Sequence, residues 1–161
     1  MTADTNRETI DDPSALRSQA EAIIDANHYM TLATAGEDGI PWASPVWYAS
    51  DDHREFLWMS KPGARHSRNI AVRAEIAIAI FDSRKPPNTG QGVYIAAIAE
   101  QVPESELAGA VATFSRISTE NGALSVSRAD VEAHARHRLY RAVARERFVL
   151  SSSDERRPVE T

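Results

Sequence analysis

The sequence predicts a mainly β fold with flanking helices (α+β), built as an antiparallel barrel of roughly six strands. Three observations carry that reading. Between residues 29 and 102 the hydrophobic pattern alternates with a period of two in successive short runs. The early runs are joined by turns too short for a crossover, so neighbouring strands run antiparallel. The chain shows neither βαβ alternation nor a G-x-G-x-x-G sequence, which argues against a parallel dinucleotide-binding sheet.

Residues 1–11 lack apolar periodicity and read as a disordered leader. Asp12 and Pro13 then supply an N-cap and a first-turn proline to a helix with Leu16, Ala20, Ile23 and Ile24 on one face, ending near Asn27 and His28. Two strands, Tyr29–Ala35 and 40–49, flank Gly36-Glu37-Asp38-Gly39, whose glycines permit a tight hairpin. Asp51 to Arg54 turn the chain into a third strand, Glu55–Ser60, and a short helix covers 64–73. The fourth strand, Glu75–Phe81, sets Ile76, Ile78 and Ile80 against Ala77 and Ala79 on the opposite face. A loop with Pro86-Pro87 leads to a fifth strand over 92–102, where Ala97 and Ala99 share a face. Such small-residue faces suit a tightly closed barrel or a dimer interface. A second long helix, 104–118, carries Leu107, Val111 and Phe114 and ends at Asn121-Gly122. Ser127 with Asp130 resembles a capping box and predicts a third helix. Residues 139–144 and 147–150 form one or two closing strands, and 151–161 read as a polar tail. One domain over 12–150 follows, since 161 residues leave little material for a second core.

Composition narrows the function classes. Hydrophobic residues at 42% and charged residues at 25% are ordinary for a soluble globular protein. The net charge of -5 disfavours nucleic-acid binding. With no cysteine, disulfides, thiolate nucleophiles and zinc–thiolate sites are excluded together. No apolar run approaches the roughly 20 residues that span a bilayer, and the polar, acidic opening is unlike a signal peptide. A cytoplasmic protein without membrane partners is expected.

The stretch Ser60-Lys61-Pro62-Gly63-Ala64-Arg65-His66-Ser67-Arg68-Asn69 carries the chemistry. Between Glu55 and Glu75 there is no acidic residue, yet Lys61, Arg65, Arg68 and Arg73 all occur there, with His66 among them. The cations straddle a strand-to-helix junction, where unpaired backbone N–H groups already favour anions. Arginine forks and the Ser60 and Ser67 hydroxyls complete a candidate phosphate cradle. Trp42, Trp47, Tyr48, Phe56 and Trp58, which include all three tryptophans, fall on two adjoining strands. They can be core or interface packing, the reading composition favours, or a wall for a flat heteroaromatic ring. Glu132, His134 and His137 have no further convergent ligand in the sequence, so no metal site is read from them.

The runs MTLATAGEDGIPWASPVWYA, FLWMSKPGARHSRNIAVRAEIAIAIFD and GVYIAAIAEQV, with the S-K-x(4)-H-S-R-N stretch, resemble the pyridoxamine 5'-phosphate oxidase-like FMN-binding split-barrel proteins. The resemblance covers residues 28–102, and more loosely the ending RLYRAVARERFVL. It implies a split-barrel homodimer with FMN across the subunit interface. Carried over by position, Lys61, Arg65, Ser67 and Arg68 hold the phosphate, with Ser60 and Asn69 nearby, and His66 is expected to bind phosphate rather than relay protons. Ser44, Pro45 and Val46 line the ring and ribityl chain, and Gln91 and Gly92 approach the flavin from the partner subunit. The true oxidases carry an arginine and a lysine where this chain has Ser44 and Ala49, which points to a small organic substrate other than pyridoxamine phosphate. The implied function is a flavin-dependent oxidoreductase. The same fold also hosts reductases using the deazaflavin F420 and non-catalytic flavin- or haem-binding proteins.

Overall fold

The computed structural model describes residues 12–150 and 155–160, so the leader read for 1–11 lies outside the described residues. Helix α1 (Pro13–Ala26) starts where Asp12 accepts the Ser14 N–H, with proline at its first turn. Strands β1 (Tyr29–Ala35) and β2 (Pro41–Trp47) form the expected hairpin, Ala35 opposite Pro41 and Tyr29 opposite Trp47. Its turn closes with the Gly39 N–H on the Gly36 carbonyl, and Gly39 sits at φ +73°, where a side chain would be strained. Then follow β3 (Glu55–Ser60), α2 (Arg65–Val72), β4 (Glu75–Phe81), β5 (Gly92–Gln101), α3 (Leu107–Glu120), β6 (Arg138–Leu150) and β7 (Arg156–Val159). All pairings are antiparallel, along the path β2-β1-β4-β5-β6-β3, with β7 added on β6. The ends of that path touch where Ala49 and Leu57 exchange backbone hydrogen bonds of 2.9 and 2.8 Å. Residues 41–47 of β2 pair with β1 alone. The barrel is therefore split between β2 and β3.

Inward-phase side chains fill the interior: Met30 and Leu32, Phe56 and Trp58, Ile78 and Ile80, Val93 and Ile95 are all buried. Leu16, Ala20 and Ile24 of α1 join the same cluster. Each large aliphatic or aromatic side chain buried this way contributes about 1.5–3 kcal/mol. A second, smaller cluster packs Leu107, Val111 and Phe114 of α3 against Leu57, Val102, Val131 and Leu139. Among the described residues no helix is long and apolar enough to cross a membrane.

The structure sharpens or corrects the sequence reading in four places. The capping box at Ser127 and Asp130 forms, but it opens only the single 3-10 turn Arg128–Asp130. Beyond it the buried Val131 turns into the second cluster. The Arg138 guanidinium then collects the carbonyls of Ala133, Ala135 and His137, acceptors that a continuing helix would use itself. The closing strands are one strand, β6, which absorbs a bulge: Ala96 pairs with Glu146 and Ala97 with Ala144. Within the stretch read as a polar tail, β7 pairs with β6 and buries Val159. Finally, the two alanine pairs do not share a role, for Ala97 and Ala99 face the interior while Ala77 and Ala79 face outward.

Candidate functional site

Helix α2 covers the split. It begins directly after β3 because Pro62 and Gly63 break the strand, and the Ala64 N–H closes a turn on the Lys61 carbonyl. Its N-cap, Ala64, has no side chain that can cap the first turn, and that turn holds no acidic residue. Its N-terminal N–H groups thus lack a side-chain cap, and no carboxylate in the first turn opposes the helix dipole. Around them stand Lys61, Arg65 and Arg68, all exposed. Arg65 lies over the Trp42 ring at 4.4 Å, a cation–π contact that holds the guanidinium near β2. Arg68 donates to the Gly63 carbonyl.

Behind the cations the polar residues are buried. Ser67 is 3% exposed, and its hydroxyl has no hydrogen-bond partner. His66 bridges the split: its Nε2 lies 2.6 Å from Ser60 Oγ on β3, and its Nδ1 lies 3.2 Å from Ser44 Oγ on β2. Burial holds the His66 pKa below the ordinary histidine value, so the ring is neutral near pH 7. Asn69, also buried, donates to Thr34 Oγ1 at 3.0 Å, and Thr34 donates on to the Trp42 carbonyl at 3.3 Å. Gly36 leaves room for this arrangement, since a Cβ there would stand 3.3 Å from Asn69 Oδ1.

Seven residues read from the stretch 60–69 thus stand together, joined by Ser44 through His66. Pro45 and Val46 follow Ser44 on β2, with Val46 packed on the core. Both His66 ring nitrogens are engaged by serines, Ser60 on β3 and Ser44 on β2. Gln91 and Gly92 lie elsewhere in the subunit. Gln91 lines a groove of about 630 Å³ against Ile23 and Ala26 of α1, and Gly92 packs on Phe81 and Tyr94. Among the described residues no hydrogen bond joins either to residues 60–69. Thr34 was not anticipated, although a threonine on the inward phase of β1 is a readable signal. The aromatic residues divide. Tyr48, Phe56 and Trp58 are core, with Trp58 stacked on Tyr140, while Trp47 meets Phe114 edge-on and Trp42 alone fronts the site. No group of three His, Asp or Glu side chains that could hold a metal occurs among the described residues.

Comparison with known proteins puts this geometry in a family. The family model described as pyridoxamine 5'-phosphate oxidase matches residues 16–150. No curated protein matches the chain. Among solved structures, a heme-binding protein from Mycobacterium smegmatis is similar at a TM-score of 0.72 and 23% identity, over 92% of this chain and 58% of that protein. The heme storage protein HutZ from Vibrio cholerae gives 0.64 and 20%, over 83% of this chain and 94% of its own. A FAD-binding protein from Mesorhizobium loti gives 0.62 and 16%, over 82% and 91%. At these identities the likeness is one of fold. With most of its length matched by the family model, the chain belongs to the pyridoxamine 5'-phosphate oxidase family.

Proposed function

We propose that the protein is an FMN-binding oxidoreductase, working as a homodimer on a small organic substrate. One observation carries this reading: an uncapped helix N-terminus, ringed by Lys61, Arg65 and Arg68, stands beside a buried Ser67 hydroxyl that lacks a partner. That donor set fits a phosphate dianion, which accepts from backbone N–H, hydroxyl and guanidinium groups together. Lys61, Arg65, Ser67 and Arg68 would hold the phosphate. Ser44, Pro45 and Val46 would border the ring and ribityl chain along the unpaired edge of β2. Bound there, FMN would supply hydride or electron transfer. The chain's own residues would bind and orient it, and the neutral His66 would hold Ser44 and Ser60 in place.

A dimer is supported by the outer sheet face. Ala43, Ala33, Ala77 and Ala96 stand directly opposite one another across β2, β1, β4 and β5. On the same outer face lie Tyr29, 63% exposed, and Phe81, 54% exposed, apolar surface that a second copy would cover. Gln91 and Gly92 would then reach the flavin of the partner subunit.

The cradle also suits the phosphate of F420. Non-catalytic haem binding is a second reading, favoured by the fold shared with two heme-binding proteins. The absorbance spectrum of the purified protein, with mass identification of the molecule released on denaturation, tests all three. Flavin bands and released FMN are the expected result. A Soret band, or a colourless protein that takes up no FMN, overturns the flavin reading.

A further inference from the structure

We infer that Ser60, His66 and Ser44 form a directed hydrogen-bond relay that presents the Ser44 hydroxyl as a fixed donor to a ligand lying along β2. The inference rests on the flavin reading for the identity of that ligand, but the direction of the relay follows from the protein alone.

The two separations at the ring differ, 2.6 Å at Nε2 and 3.2 Å at Nδ1. A hydroxyl donor sits closer to its acceptor than an N–H donor does; toward oxygen acceptors the modes are about 2.7–2.8 and 2.9–3.0 Å. The short contact is therefore the Ser60 O–H donating to Nε2, and the long one is Nδ1–H donating to Ser44 Oγ. The reverse assignment makes the N–H bond the shorter and the O–H bond the longer, against both preferences. A single direction also requires a neutral ring, because an imidazolium would donate at both nitrogens. Burial disfavours the charged ring, and no carboxylate of this segment offsets it. Lys61, Arg65, Arg68 and Arg73 are the charged residues of this segment, and no Asp or Glu occurs between Glu55 and Glu75. From β1 and β2 the partners facing α2 are Thr34, Trp42 and Ser44, none of them acidic.

The relay has a defined beginning and end. Ser60 is 7% exposed on the inward phase of β3, so it reaches no ligand itself. Ser44 is half-exposed on β2, where residues 41–47 lack a second strand neighbour. Having accepted from Nδ1–H, the Ser44 hydroxyl must send its own hydrogen elsewhere, and a donor polarised this way is stronger than an isolated serine. Its complement is an uncharged acceptor, a carbonyl oxygen, ring nitrogen or hydroxyl of the non-phosphate part of the flavin. Ser44 thereby becomes a specificity-determining residue, with His66 and Ser60 as positioning residues behind it.

The test has two readouts on the full-length chain. Long-range proton–nitrogen correlation NMR of the His66 ring, without ligand, should show the Nδ1–H tautomer; Ser60→Ala should turn it into a mixture and Ser60→Thr should restore it. In fluorescence titrations, Ser44→Ala and Ser60→Ala should each weaken FMN and riboflavin by the same factor, about tenfold. The double variant should lose no more than Ser44→Ala alone. An Nε2–H or doubly protonated ring overturns the relay, as do additive losses or a loss confined to FMN. A parent chain that shows the Nδ1–H tautomer but binds neither flavin overturns the flavin reading and leaves the relay standing.

Discussion

Replacing Ser67 by alanine should make the ligand-free protein more stable and its FMN complex weaker. The hydroxyl is 3% exposed and unpartnered, and an unmade hydrogen bond of this kind costs about 1–3 kcal/mol. Ser67 lies inside α2, where alanine adds roughly 0.5 kcal/mol in helix propensity. Part of the first figure is offset by the small gap that the lost oxygen leaves, so a net gain of about 1–2 kcal/mol is expected. For a chain of this size that is a rise in Tm of roughly 2–8 °C. With FMN the sign reverses. A hydrogen bond to a charged acceptor contributes about 1.5–3 kcal/mol, so affinity should fall about ten- to a hundredfold. Riboflavin, without the phosphate, should bind the variant as it binds the parent. Thermal unfolding without ligand and paired titrations with the two flavins measure both signs. A lowered Tm would mean that the hydroxyl already has a partner; an unchanged FMN-to-riboflavin ratio would mean that it never meets the phosphate. Either result refutes the reasoning.

Three further outcomes follow from the same structure. Lys61→Ala and Arg65→Ala should each weaken FMN about tenfold, the low end for exposed, screened cations, leave riboflavin unchanged, and lose their effect in high salt. Arg136→Ala, exposed and outside the site, is the control, and equal losses for both flavins would place the cations in folding instead. Light scattering should give about twice 17.7 kDa for the parent, and Ala77→Glu, which sets a carboxylate in the alanine row, should halve it; a parent that is monomeric while binding flavin tightly contradicts the shared site. His66 is held below its ordinary pKa by burial, so the unfolded chain takes up its proton first and stability falls as pH drops through the ordinary value of about 6.5. His66→Gln should flatten that part of the Tm–pH curve, and an unaltered slope would show that the ring does not titrate against burial.

Much of the site was legible because it is local. Ser60 to Asn69 are consecutive, and a basic, acid-free strand-to-helix junction can be read without knowing the fold. The cations were found for that reason, and Ser44 came from the family resemblance alone. What joins Ser44 to Ser60 was not legible, because it depends on β2 and β3 diverging after the Ala49–Leu57 bridge and on His66 spanning the gap. Asn69 likewise needed the inward phase of β1 to deliver Thr34. The strands were read from alternation, and that signal failed at β7, where Arg156-Arg157-Pro158-Val159 offers one buried apolar side chain. The Ser127 capping box was a true local signal overruled at a distance, since Arg138 takes the carbonyls a longer helix needs. The alanine faces showed that side chains were small but not which way they pointed, a question settled by which phase carries the isoleucines and valines of the barrel.

Strand β6 joins β5 along one edge and both β3 and β7 along the other, so one segment supplies the pairing of three other strands. It also follows β3 and β5 in the chain by many residues. During synthesis, β3 emerges early and waits with no strand partner, and β5 waits with one edge bare, until residues 138–150 leave the ribosome. The interval is spanned by α3, whose own apolar face needs Leu57 and Leu139 to be in place. Barrel closure is thus a late, non-local event, and β3 keeps its strand edges exposed from residue 60 until residues 138–150 are made. Expression yield should therefore respond to chaperone supply and growth temperature.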